Sequence, residues 1–412
     1  MDIKRRHFIK AITAAPIAGS LIGYKIAAAD IAGVSPEKAF GFSDNKIPMN
    51  AANLCPMPTA INKSIDSFSD DLDFDMSGQN RTRIMAIKEV ARNGLGKQLN
   101  ISADDIAITR NTSEANNIVV QGISLQAGDE ILLWDQNHPS NDVSWSVRAK
   151  RSNCKINHIN VPVNTQDIDK VVDLFLEKIT HKTKVISFTH ISNITGFRLP
   201  AQEICQAIKA KHGQVHIHVD GAQTWGLMDV DLDAMGCDTF SGSSHKWYMG
   251  PREIGLLVVR QESINRIWPG IVSIGWGNAA ETNAKGARKF EAFGQRNDAA
   301  LAALSETVNF HTSITPSGVE RRAIKIADYL RQSLVDIDVE FVSSHHSDFT
   351  SNVIILKAPQ ENRRQLLDNV LKDGGVILAG TGGLRLSPHI YNTVDHVDRV
   401  VRAINKSRKL LG

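Results

Sequence analysis

Two side chains of complementary chemistry stand 26 positions apart: Asp220, in His218-Val-Asp-Gly-Ala-Gln223, and Lys246, in Ser243-Ser-His-Lys246. A carboxylate and a lysine can perform separate tasks on one heteroaromatic cofactor. The amine condenses with an aldehyde to a Schiff base, and the acid holds a ring nitrogen protonated so that the ring accepts electrons. Pyridoxal 5'-phosphate (PLP) needs both. The flanking residues show what must position them. Val215 to Val219 is β-branched and alternating, which reads as a strand. Asp220 falls at its end, where open α/β sheets place ligand groups. A second short strand, around Asp238 to Ser241, leads to Lys246. His216 and His218 share one face of the strand before Asp220. An HxH pair can bind metal, but no third ligand is suggested, so the pair reads as structural, with no metal.

The phosphate of such a cofactor needs donors. Ile106-Ala-Ile108 is a short strand, and Arg110-Asn-Thr-Ser-Glu114 turns from it into a helix. Thr112 and Ser113 fall in the first turn, where free N–H groups and the helix dipole form an anion site. Plain N-capping by Asn111 or Thr112 is the alternative, and both can hold together. Further strands are Glu130–Trp134, Val185–Phe188 and Ile254–Val259. Strands alternating with helices, polar at their ends, describe a doubly wound α/β domain. A helix is expected over 82–99, with Ile84, Ile87, Val90, Ala91 and Leu95 on one side.

The 412 residues suit a large domain with a smaller partner, and 42% hydrophobic with 22% charged residues is ordinary for a globular protein. No HExxH, CxxC or P-loop pattern occurs. Lys4-Arg-Arg-His-Phe-Ile-Lys10 is a twin-arginine export pattern, followed by a mildly apolar run to Tyr24 and by Ala27-Ala-Ala29, a small-residue cleavage site. That run is shorter than the roughly 20 residues that span a bilayer. An uncleaved anchor or amphipathic arm is the alternative. Residues 1–29 hold five basic side chains against Asp2 alone, so the formal +3 of the whole chain falls to near −1 without them. The basic balance therefore does not point to nucleic acid, and no basic stripe interleaved with aromatics argues for it. Cys205 and Cys237 read as buried free thiols.

Beyond these readings, the chain resembles the class V aminotransferases of PLP fold type I, the group with cysteine desulfurases, kynureninase and isopenicillin N epimerase. The matching text is Asp220-Gly-Ala-Gln223, Ser-Ser-His-Lys246-Trp, Gly250-Pro251 and Gly255, then Arg385-Leu-Ser387-Pro-His-Ile-Tyr391-Asn392-Thr393. The resemblance implies that Lys246 carries the Schiff base and acts as base or acid on Cα, with Asp220 on the ring nitrogen. It places the His138 ring on the cofactor's face, although Asn137 replaces the family's usual acid. Asn193 would bond the phenolic oxygen, with Gln223 beside it, and Ser243 and His245 would help hold the phosphate. Arg385 would clamp a substrate α-carboxylate in a two-pronged salt bridge. Gln295 stands where the family uses a threonine that reaches a phosphate across a dimer interface.

The expected organisation is a signal at 1–29, an N-terminal arm at 30–81, a large PLP-binding domain with a mostly parallel sheet at 82–310, and a small C-terminal α/β domain at 311–412. The favoured function is an exported, periplasmic, homodimeric enzyme of the aminotransferase or epimerase kind, acting on an amino acid or keto acid. The twin-arginine machinery would be its export partner. Alternatives are a C–S lyase or cysteine desulfurase, and a silent binder that kept the pocket. Against a persulfide-forming desulfurase, residues 374–383 contain no cysteine and Cys237 is the last in the chain.

Overall fold

The computed structural model describes residues 39–273, 276 and 284–411. The export pattern and the start of the arm lie outside the described residues. Strand β1 (Ile47–Pro48) belongs to the arm. Strands β2 (Ile106–Thr109), β3 (Glu130–Trp134), β4 (Lys155–Ile159), β5 (Thr183–Thr189), β6 (His216–Asp220), β7 (Thr239–Ser243) and β8 (Gly255–Val259) form one sheet, in the order β2-β8-β7-β6-β5-β3-β4. Pairing from β7 through β6, β5 and β3 to β4 is parallel. Only β8 runs against its neighbours. The expected mostly parallel sheet is therefore present.

Alternation explains why the sheet is covered on both faces. In β3, Leu132 and Trp134 join one core with Phe175, Ile204 and Ile208, whereas Ile131 and Leu133 join another with Trp145 and Val120. The helices Ile168–Glu177 and Ala201–Lys211 thus lie on one face, and Thr112–Gly122 and Pro139–Ser152 on the other. Strands buried on both sides read as nearly continuous apolar runs, which is why β3, β5 and β8 are legible in sequence. The helix expected from 82 begins at Gly78, because the Ser77 side chain accepts from the Asn80 N–H and starts it a turn earlier. Its first turn is polar and carries no apolar periodicity.

The C-terminal part builds a second core around β9 (Ile354–Leu356), β10 (Val376–Ile377) and β11 (Leu384–Leu386), with β9 and β11 antiparallel. Helices Pro316–Val335, Arg363–Gly374 and Val394–Lys406 cover it. Thr393 caps the last of these with a capping box that His396 completes. The arm is bound into this core. β1 pairs with β10, and Ile47 and Met49 are fully buried among its residues. The helix Asp298–Ile314 runs across the boundary expected at 310 and packs on the helices Thr59–Phe74 and Gly78–Gln98.

Candidate active site

The carboxyl ends of the parallel strands converge, as open α/β sheets require of a ligand crevice. His138 follows β3, Asn193 follows β5, Asp220 ends β6, and Ser243 ends β7 three residues before Lys246. At the end of β2, the Asn111 side chain accepts from Glu114 N–H and caps the helix Thr112–Gly122. The cap is therefore real. Thr112 is also joined to β7: its N–H donates to Ser243 Oγ at 2.7 Å, and the two hydroxyl oxygens are 2.6 Å apart. Gly255 permits this closeness. A Cβ there would come within 2.8 Å of Asn111 Cα and 2.7 Å of the Gly242 carbonyl. Ser113 is exposed on the same turn. The Thr112 and Glu114 N–H groups are taken up by Ser243 and Asn111, so the Ser113 N–H, the hydroxyls of Thr112, Ser113 and Ser243 and the helix dipole make this an anion cradle.

Asp220 is buried at 2% exposure, with Oδ1 accepting from Ala222 N–H at 3.0 Å and Oδ2 from Asn116 Nδ2 at 2.8 Å. Lys246 forms no ion pair among the described residues. Burial, with Arg385 adding to it against the opposing pull of Asp220, lowers its pKa to about 8. Burial, then Lys246 and Arg252, lowers His245 to about 4, so its imidazole is neutral. His138 is likewise lowered by burial, then by the positive charge of Lys246. Its Nδ1 accepts from Ser140 N–H at 3.1 Å, capping the helix Pro139–Ser152 and fixing the ring.

Arg385 is 4% exposed, with Nη1 donating to the Asn193 carbonyl and Nη2 to Asn50 Oδ1, both at 3.2 Å. Its Nε, like Asn193 Oδ1, is buried without a hydrogen-bond partner among the described residues. Burial lowers this guanidinium to about 10. Groups so placed need a polar ligand, because an unsatisfied buried group costs about 1–3 kcal/mol. The donor set fits PLP with an amino acid: an anion cradle, an amine poised near neutrality, a carboxylate at the end of the adjacent parallel strand, and an unmatched guanidinium.

The remaining expected residues differ in placement. Gln223 is buried, but its Nε2 donates to the Ala52 carbonyl at 3.0 Å and its Oε1 accepts from Trp247 Nε1 at 2.7 Å. Its amide braces the arm against the lysine loop. Gln295 is exposed and joined to Arg81 and Asp298 rather than to Thr112 or Ser243. Asn137 accepts from Thr189 N–H and donates to the Ser187 carbonyl. A carboxylate could not make that donor–acceptor pair, so asparagine suits this position.

Sequence reasoning missed the fastening of the lysine loop. The carbonyls of His245, Lys246, Trp247 and Tyr248 accept from Cys55 N–H, Met249 N–H, His389 Nε2 and His311 Nε2. His389 and His311 are held neutral by burial, at about 3 and about 4. Apart from Met249, no local pattern announces these partners: Cys55 and His245 are 190 positions apart, and His389 and Trp247 142. Asn116 was missed as well, although it stands four residues after Thr112, on the same helix face. His216 and His218 both reach Thr239 Oγ1, at 3.0 and 2.9 Å. Among the described residues no cluster of three His, Cys, Asp or Glu could hold a metal.

Comparison with known proteins identifies the family. The model of the family "Aminotransferase class-V" matches residues 69–403. Isopenicillin N epimerase of Streptomyces clavuligerus is 24% identical over 376 residues, covering 87% of this chain and 94% of that protein. A cysteine desulfurase of Escherichia coli is 29% identical over 360 residues, covering 80% and 85%. Among solved structures, a complex of a cystine C–S lyase with cysteine persulfide superposes with a TM-score of 0.81 at 22% identity, covering 89% of this chain and 99% of that one. A mutant of the same lyase, with glycine covalently linked to PLP, gives 0.81 at 21% identity, covering 90% and 98%. The chain belongs to the class V aminotransferases, has the PLP type I fold, and takes pyridoxal 5'-phosphate as its cofactor.

Proposed function

We propose that this protein acts on the amino group and Cα of an α-amino acid, as an epimerase or aminotransferase does. The observation that carries this reading is Arg385, a buried guanidinium with no carboxylate partner among the described residues and close enough to Lys246 to lower its pKa. An α-carboxylate bound there in two-pronged fashion supplies the missing charge and fixes Cα relative to the lysine. PLP, when bound, supplies the electron sink that stabilises negative charge at Cα. Thr112, Ser113, Ser243 and the neutral His245 would hold its phosphate, Asp220 would keep the ring nitrogen protonated, and the His138 ring would stack on it. Asn193 would hold the phenolic oxygen. Lys246, lowered to about 8, is poised to take a proton from Cα and return it. Reprotonation of Cα from the opposite face would give epimerisation, whereas a proton not returned to Cα would leave a keto acid and so transamination.

The cysteines support this over persulfide formation. Burial raises Cys55 and Cys237 to about 12 and Cys205 well above the ordinary thiol range. Cys154 lies between Gln126 and Ser152, beyond the amino end of β4. A nucleophilic cysteine needs thiolate character and access. The segment before Arg385 is a short hairpin, with Ala379 and Arg385 exchanging both backbone hydrogen bonds. A second reading is C–S elimination without a protein persulfide, since the same Cα proton transfer serves it.

The test is incubation of the PLP-loaded protein with a panel of amino and keto acids in D2O, with products identified by mass. Deuterium at Cα, a keto acid, or loss of chirality supports the reading. Persulfide on a protein cysteine, with turnover lost in a variant lacking all four, moves the desulfurase to first place.

The protein also reads as an exported, periplasmic homodimer, supported by Arg5-Arg6 and by Gln295 standing exposed for contact with a partner's phosphate. Arg5→Lys with Arg6→Lys should strand it in the cytoplasm, and continued export of that variant would refute the twin-arginine reading.

A further inference from the structure

Behind Asp220 lies a row of buried polar side chains that the reaction does not touch. His216, His218 and Thr239 are fully buried, and Asn116 is 1% exposed. His216 Nε2 is 3.0 Å from Thr239 Oγ1, which is 2.9 Å from His218 Nδ1. His218 Nε2 is 3.0 Å from Asn116 Oδ1, and Asn116 Nδ2 is 2.8 Å from Asp220 Oδ2. Ser241 Oγ donates to the same Asn116 oxygen at 2.5 Å.

Hydrogen-bond chemistry fixes every proton in this row. Asp220, as the carboxylate that its role on the ring nitrogen requires, only accepts, so the Asn116 amide must turn its NH2 toward it. The amide oxygen then faces His218 and Ser241, and His218 must donate from Nε2. Burial holds both histidines neutral, His218 at about 3 and His216 at about 4. A neutral imidazole that donates from Nε2 accepts at Nδ1, so Thr239 donates to it. Thr239 Oγ1 must in turn accept from His216 Nε2, leaving His216 Nδ1 bare. That atom is indeed buried without a hydrogen-bond partner among the described residues.

We infer that Asn116 is a positioning residue for Asp220, and that the one-way donation His216→Thr239→His218→Asn116→Asp220 on Oδ2, with the Ala222 N–H on Oδ1, fixes the plane in which the carboxylate meets the cofactor ring. Neither orientation of Asn116 is degenerate: reversing the amide would set its oxygen against the carboxylate and leave His218 facing a donor. The β6 strand supplies three members, and the helix Thr112–Gly122 supplies the amide that joins them. Phosphate cradle and ring-nitrogen acid are therefore set from one face of the same helix, by Thr112 and Asn116.

The inference rests on Asp220 meeting the ring nitrogen, and its test separates the two. In PLP-loaded full-length protein labelled with 15N-histidine, both His216 and His218 should carry their proton on Nε2. A proton on Nδ1 of His218 would overturn the inference. Asn116→Leu should weaken PLP binding about tenfold or more, the size expected for losing a hydrogen bond to a charged group, and should shift the absorption band of bound cofactor. Asp220→Asn is the control. If it leaves affinity and spectrum unchanged, the ring-nitrogen role of Asp220 fails. If it changes both while Asn116→Leu changes neither, the positioning role of Asn116 is wrong. Should the leucine variant not fold, the tautomer measurement on the unmutated protein decides.

Discussion

Two buried arginines divide this molecule into a part that is complete and a part that waits for a ligand. Arg92 is fully buried, yet it meets Glu291 at 2.7 Å and Glu89 at 2.9 Å, and donates to the Ile106 carbonyl. Burial alone would lower its pKa, but Glu291 and Glu89 outweigh it and raise it. Glu291 also accepts from Ile108 N–H, so the pair ties the segment 284–291 to the edge strand β2. Arg385 is almost as buried but has only a carbonyl and an amide oxygen, and burial lowers it to about 10. Taking a charge out of water without a partner is costly. Where the sequence retains such a charge, a ligand is the partner that explains it.

Substitution at the two arginines should therefore separate stability from binding. Arg92→Met leaves Glu291 buried with Lys88 and the Ile108 N–H as its remaining partners, and breaking a buried pair costs about 3–5 kcal/mol. Denaturant melts should show that loss, with substrate affinity at the remaining folded sites unchanged. Arg385→Met orphans no carboxylate, so its melt should match or exceed wild type. Losing a buried, hydrogen-bonded charge from binding costs about 2–5 kcal/mol, so KM for the amino acid should rise roughly 30-fold or more. An unstable Arg385 variant with unchanged KM would erase the distinction.

How much of this was legible beforehand follows from which contacts are local. The strands of the sheet are apolar runs ended by polar residues, and Asp220, Lys246 and Arg385 stand in short motifs. The cap at Asn111 was also visible. What the sequence hid depends on distant partners. Whether an arginine is paired or unpaired cannot be read from its neighbours: Glu291 lies 199 positions from Arg92. The histidines that hold the carbonyls of the lysine loop come from other elements, and Gln223 is taken up by Ala52 and Trp247 rather than left open. The His216–His218 pair shows the same limit, since alternation put both on one face but could not reveal Thr239 and Asn116 opposite them.

A smaller effect tests the electrostatics around the lysine itself. An amine attacks an aldehyde only when neutral. With the pKa of Lys246 lowered from 10.5 to about 8, half the amines are neutral near pH 8 instead of near 10.5. Uptake of PLP by the apoprotein should accelerate as pH rises toward 8 and level off above it. Removing Arg385 takes away one of the two influences that lower this pKa, so the plateau in Arg385→Met should move upward, by a fraction of a unit. A rate still climbing past pH 10 in the unmutated protein would mean that Lys246 is solvated and not held beside Arg385.

The central claim is that Lys246 carries the cofactor within reach of Arg385. The most direct measurement is borohydride reduction of the PLP-loaded protein, followed by peptide mapping. The account predicts one reduced adduct, on Lys246, which disappears in Lys246→Ala while that variant keeps its cooperative melt. An adduct on any other lysine of the unmutated protein would contradict it.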